Sequence, residues 1–210
     1  MPEDINDQQD INEQHRRRMV RINEIKDRQL AKADKEKGLI IVHTGAGKGK
    51  STAAFGMAMR ALGQGMKVGI VQFIKGAIPT GEGHLIAQLA ESGMPIQMHT
   101  LGEGFTWKTQ DRQRDIAVAM KAWDKAVELI RDPSIDLVVL DEINIATKYD
   151  YIPATTVVDE LLDKRPMLHV VLTGRNASDQ VIEIADLVSE MKVIKHPYAH
   201  GVSPQRGVEY

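Results

Sequence analysis

Lys50 and Ser51 close a glycine-rich run, Thr44-Gly45-Ala46-Gly47-Lys48-Gly49-Lys50-Ser51-Thr52. These residue types at this spacing suit the holding of phosphate. Glycines let successive backbone N–H groups curl around phosphate oxygens, where a Cβ would obstruct. Lys50 adds a point charge, and the Ser51 hydroxyl can join a Mg²⁺ shell. The run departs from the usual GxxxxGK(S/T) pattern at Thr44, which stands where the first glycine is expected. A second candidate is Asp141-Glu142, which closes the apolar run Leu137-Val138-Val139-Leu140. A carboxylate at the end of a buried strand, downstream of a phosphate loop, has the place of the second Mg²⁺-organising element. Asp141 or Glu142 can contact the metal directly or through water, and spacing does not choose between them.

Two aromatic residues, Phe105 and Trp107, sit in a glycine-punctuated stretch of a chain that is only 4% aromatic. They read either as caps on the core under a loop or as an aromatic wall for a flat ligand. The seven histidines are dispersed. His43, His99 and His169 fall in predicted strands and read as satisfied core residues. His196 and His200 fall in an irregular tail. Arg60 reads as a surface residue.

These groups need a scaffold. Gly38–His43 reads as a buried strand ahead of the loop, and Ala53–Leu62 as a helix behind it. Further strands are expected at Lys67–Phe73, Pro95–Thr100, Ile135–Leu140, Met167–Thr173 and Leu187–Val193. Helices are expected at Glu82–Ser92, Asp111–Arg131, Thr155–Lys164 and Ala177–Ala185. Strands alternating with helices predict an α/β fold, a mainly parallel six-stranded sheet with helices on both faces. Residues 1–37 are polar and charged, and predict a helical arm from about Gln8 to Lys35. Its Arg16-Arg17-Arg18 triplet reads as a solvated face or as an arm over an anionic ligand or partner. Residues 38–210 form one expected domain.

The chain has 210 residues, 42% hydrophobic and 27% charged, with a net charge of −2 and no cysteine. Disulfides, thiolate metal sites and a cysteine nucleophile are therefore excluded. The net charge gives no general pull toward nucleic acid or an anionic membrane. No apolar run approaches the ~20 residues of a spanning helix. The acidic start, Met1-Pro2-Glu3-Asp4, does not read as a secretory signal, and a cytoplasmic protein is expected.

Thr44 to Gly56 resembles the phosphate loop of the bacterial ATP:corrinoid adenosyltransferases. So do Gly104-Phe105-Thr106-Trp107-Lys108-Thr109-Gln110, Val139-Leu140-Asp141-Glu142, Leu172-Thr173-Gly174-Arg175, and Lys195-His196-Pro197 with Gly201-Val202. The resemblance runs in order from about Gly38 to Tyr210. It departs at Ala46, where the family often has Asn, at Ser51, where it often has Thr, and at Lys108, where it often has an acid. It implies a P-loop, RecA-like architecture. It also implies transfer of the 5′-deoxyadenosyl group of ATP to the cobalt of a reduced corrinoid, with release of triphosphate. On that reading Gly45, Ala46, Gly47, Lys48, Gly49, Lys50, Ser51 and Thr52 hold the triphosphate. Ser51 with Glu142 or Asp141 organises Mg²⁺. Phe105 and Trp107 face the lower side of the corrin and keep out its axial ligand. The resemblance further implies a homodimer, with a flavoprotein or another reductant as electron source. The rival readings are a P-loop ATPase or kinase-like protein, and a nucleotide-dependent nucleic-acid module using the arginine triplet.

Overall fold

The computed structural model describes residues 3–74, 80–102 and 111–209. The chain divides into two compact units, Met1–Glu36 and Lys37–Tyr210. The first unit carries one helix, α1 (Glu3–Leu30). It starts and stops about five residues earlier than the sequence suggests. Arg16, Arg17 and Arg18 are exposed on it, and Arg17 pairs with Glu13 one turn back at 2.7 Å.

The second unit is built on six strands: β1 (Ile40–Thr44), β2 (Val68–Gln72), β3 (Ile96–Thr100), β4 (Leu137–Asp141), β5 (His169–Thr173) and β6 (Leu187–Glu190). Their order is β3-β2-β4-β5-β1-β6, and every pairing is parallel. Parallel neighbours need crossovers, and here these carry α2 (Lys50–Gly63), α3 (Gly81–Glu91), α4 (Arg112–Arg131), α5 (Ile143–Lys148), α6 (Ala154–Leu162) and α7 (Asp179–Ile184). The starts of α3, α4 and α7 are set by side-chain caps. Thr80, Asp111 and Ser178 each accept an N–H from three residues on.

Alternation along each strand sends side chains to two separate cores. Val138, Leu140, Val170 and Leu172 pack with Ala122, Trp123, Ala126 and Leu129 of α4 and with residues of α5, α6 and α7. Ile41, Val139 and Val171 pack on the other face with Ala54, Phe55, Ala58 and Leu62 of α2 and Ile86 of α3. The predicted α/β sheet with helices on both faces is therefore the observed one. Three details differ. The six-residue α5 is too short to show a helical period. β6 stops at Glu190 because the chain leaves the sheet at Met191 and turns its main chain to the phosphate loop. The irregular tail contains one 3-10 turn, Pro197–His200.

Candidate functional site

The loop between β1 and α2 is held from below. The Met191 N–H donates to the Thr44 carbonyl at 2.9 Å, and the Gly47 N–H donates to the Met191 carbonyl at 2.6 Å. A Cβ on Gly45 or Gly47 would lie 2.5 or 2.7 Å from that Met191 oxygen. Both glycines are therefore required by the close approach of the chain leaving β6. The sequence reading credited them only to the space around phosphate. The Gly47 amide, moreover, is directed into the protein. The Thr44 hydroxyl, in place of a first glycine, accepts the Ala177 N–H at 3.1 Å and ties the loop to the segment after β5.

The loop runs straight into α2. Gly49, at φ 105°, is the N-cap, and no acidic residue lies in the first turn. The N-terminus of this helix thus keeps its positive end for an anion. Ser51 is half-buried in the first turn, while Ala46, Lys48 and Thr52 are exposed. Lys50 is buried, and its ammonium donates to the Gly47 carbonyl at 2.5 Å. Burial pushes this ammonium below the ordinary lysine range. Arg175 and Lys48 push the same way, and Glu142 opposes them. Residues from three strand ends thus act on one amine: the loop after β1, Glu142 after β4 and Arg175 after β5. In an open parallel sheet this carboxyl edge is where ligands collect.

Asp141 and Glu142 have separate surroundings. Asp141 is fully buried. Its Oδ2 accepts from Gln72 Nε2 at 2.9 Å and its Oδ1 accepts from the Thr173 hydroxyl at 2.8 Å. Gln72 Oε1 in turn accepts from the Thr100 hydroxyl at 3.1 Å. A polar chain therefore crosses the carboxyl ends of β3, β2, β4 and β5, exposed at Thr100 and buried at Gln72, Asp141 and Thr173. Glu142 caps α5 with φ 66°, a left-handed conformation that costs a non-glycine residue about 1 kcal/mol or more. Its N–H donates to the Thr173 hydroxyl at 2.9 Å. Its carboxylate lies beside Gly174, where an added Cβ would come within 3.3 Å of Oε2.

A hydroxyl and a carboxylate are hard oxygen donors, the type Mg²⁺ takes alongside nucleotide phosphates. Among the described residues no group of three or more His, Asp or Glu is placed to hold a metal by itself. Ser51, in the first turn of α2, and Glu142, just past β4, are donors of that type. Phe105 and Trp107 lie outside the described residues. Sequence reasoning named Thr173 and Arg175 only within a stretch resembling the family and gave neither a role, and it left Gln72 as an ordinary strand residue. The place of Arg175 just past a buried strand is the signal that would have put it in the site, as it did Glu142.

The histidines are structural where their partners are described. His169 Nδ1 accepts the Leu39 N–H at 3.2 Å, and His99 Nε2 pairs with Gln97 Oε1 at 3.0 Å. His43 departs from the expected satisfied core residue, since among the described residues neither ring nitrogen has a hydrogen-bond partner. Arg60 is exposed, as expected.

A six-stranded parallel sheet with a glycine-rich loop between β1 and α2 is a P-loop NTPase-like architecture. Residues 36–210 match the family model described as ATP:corrinoid adenosyltransferase BtuR/CobO/CobP, and the chain belongs to that family. It is 55% identical over 197 residues to the corrinoid adenosyltransferase of a Sinorhizobium species, covering 93% of this chain and 91% of the relative. It is 48% identical over 206 residues to the corrinoid adenosyltransferase of Pseudomonas aeruginosa, covering 98% and 100%. The Escherichia coli K12 corrinoid adenosyltransferase is 43% identical over 198 residues, covering 94% and 98%. The chain is accordingly a transferase that adenosylates corrinoids. Among the described residues no helix is long and apolar enough to cross a membrane.

Proposed function

We propose that this chain takes its adenosyl group from ATP and releases triphosphate. The observation that carries the reading is the glycine-rich turn into the open N-terminus of α2, where the buried Lys50 ammonium is folded back onto the Gly47 carbonyl at 2.5 Å. The corrinoid enters as Co(I), already a strong nucleophile. Its electron pair forms the cobalt–C5′ bond and the cobalt becomes Co(III). The C5′–oxygen bond breaks, and its electrons leave with triphosphate. The protein therefore needs to supply alignment and a resting place for negative charge, not a nucleophile. Lys50, Lys48, Arg175 and the α2 N-terminus supply that charge stabilisation. Ser51 and Glu142 would hold Mg²⁺, which neutralises the leaving phosphates when bound. Asp141 serves as the buried brace behind Glu142. Phe105 and Trp107 are assigned to the lower face of the corrin, where they exclude the axial ligand. Four-coordinate Co(II) is then easier to reduce, because the added electron meets no axial lone pair.

The same reading takes residues 1–37 as an arm and 38–210 as the adenosyltransferase domain, in a cytoplasmic homodimer fed by a flavoprotein or another reductant. Incubation with ATP, Mg²⁺ and chemically reduced cobalamin tests the reaction. Adenosylcobalamin with stoichiometric triphosphate is the expected result. ADP with no cobalt–carbon product would instead mark γ-phosphate cleavage and the ATPase or kinase-like alternative.

A further inference from the structure

The segment after β6 returns to the phosphate loop. The Val208 and Glu209 N–H groups both donate to the Gln205 carbonyl, at 3.2 and 2.8 Å, and Gly207 turns with φ 77°. That turn delivers the Glu209 carboxylate to the loop, with Oε2 2.5 Å from Lys48 Nζ. The Lys48 side chain is 62% exposed and the Glu209 side chain 16%, so the carboxylate is the seated partner and the ammonium the one able to swing. The hydrogen bond from Lys48 holds the Glu209 carboxyl below its usual range, and His196 nearby adds to this.

We propose that Glu209 is a positioning residue that competes with polyphosphate for Lys48, and so eases the departure of the triphosphate product. The inference rests on the reading of this loop as the triphosphate site. Everything that grips the phosphates of the substrate also grips the product. A product held too well limits turnover. A carboxylate tethered next to the loop is present at high effective concentration and reclaims Lys48 as the product leaves. It carries one negative charge against several on a polyphosphate, so it lowers affinity without blocking binding. The pair is partly exposed, so its effect is modest and weakens with salt.

The test is titration calorimetry of inorganic tripolyphosphate with Mg²⁺ into the full chain. The proteins are wild type, Glu209→Gln, Lys48→Ala and the double variant, each at low and high salt. The backbone bonds that form the Gln205 turn survive Glu209→Gln. The expected result is roughly two- to fivefold tighter binding in Glu209→Gln at low salt, less at high salt. In the Lys48→Ala background that gain should vanish. The constant for product inhibition by tripolyphosphate should fall by the same factor as the dissociation constant. Unchanged or weaker binding in Glu209→Gln overturns the inference alone. An equal gain with and without Lys48 also overturns it, since that marks general charge repulsion. A wild-type protein that fails to bind tripolyphosphate overturns the reading of the loop itself.

Discussion

The hydroxyl of Thr173 donates to Oδ1 of Asp141 at 2.8 Å, while its oxygen accepts the Glu142 N–H at 2.9 Å. One side chain on β5 thus fixes both the buried acid and the acid that faces the loop. Thr173→Val keeps the shape and removes both bonds. The expected cost is about 1–3 kcal/mol, because Asp141 and Thr173 are fully buried. Urea denaturation measures it. Thr173→Ser, which retains the hydroxyl, should lose much less. Equal midpoints for the Val variant and wild type would remove Thr173 from this role.

Lys50→Ala removes the buried ammonium at the head of α2. Turnover should fall by roughly 10² or more, by analogy with the loss of one preorganised donor. Stability should hold or rise, since the ammonium is kept in a site where burial disfavours its charge. Steady-state kinetics and a melting curve on the same sample check both halves. Near-normal kcat and KM for ATP would sink the assignment of this loop.

Glu142 separates function from fold. Glu142→Gln should fold normally and shift the Mg²⁺ activation curve to higher concentration. Glu142→Gly relieves the left-handed strain at φ 66° but adds freedom to the unfolded chain. Its stability should stay within about 1 kcal/mol of wild type while activity collapses. Asp141→Asn should show the reverse pattern, with a loss of stability from the buried part of the polar chain. An unshifted Mg²⁺ curve in Glu142→Gln would dismiss it as a ligand.

How much of this was legible in the sequence depends on distance along the chain. The six strands, the loop and α2 follow from local patterns of apolar and glycine residues, and all were read. The polar chain Thr100–Gln72–Asp141–Thr173 joins residues 28, 69 and 32 positions apart. It exists only because the strand order brings four carboxyl ends side by side, and no local pattern encodes that order. The pairing of Lys48 with Glu209 spans 161 positions and had no sequence signal at all. Asp141 and Glu142 were found together but could not be ranked, since their difference is the burial of one and the turn at the other.

Phe105→Ala with Trp107→Ala tests the corrin-face assignment. Opening that face to water or the axial base would leave five-coordinate Co(II), which is harder to reduce. Activity from Co(II) with a weak reductant should collapse, while activity from Co(I) made beforehand should largely survive. KM for ATP should change little, because the phosphate loop is untouched. Equal losses in both assays with a lower melting temperature would mean that the rings only pack.

Acid should destabilise the protein through three histidines. Burial pushes His43, His99 and His169 below the ordinary 6.5, and Lys125 and Lys164 add to this at the last two. A lowered folded value means that the unfolded chain takes up protons first as pH falls below about 6.5. Stability is therefore full above that pH and drops as pH descends toward the folded values. The histidines do not act alike when replaced. His169 uses Nδ1 to accept the Leu39 N–H at 3.2 Å, so His169→Leu removes a needed acceptor and should destabilise at neutral pH. His43 is buried, and among the described residues both ring nitrogens are unpartnered. His43→Leu is close to volume-conserving and buries no polar atom, so it should stabilise by about 1 kcal/mol at neutral pH. It should also flatten the loss of stability between pH 7.5 and 5.5, because one of the three titrating groups is gone. Denaturation midpoints for both variants across that range decide the matter. A His43→Leu variant that is less stable, with an unchanged pH slope, would mean that the imidazole is satisfied after all.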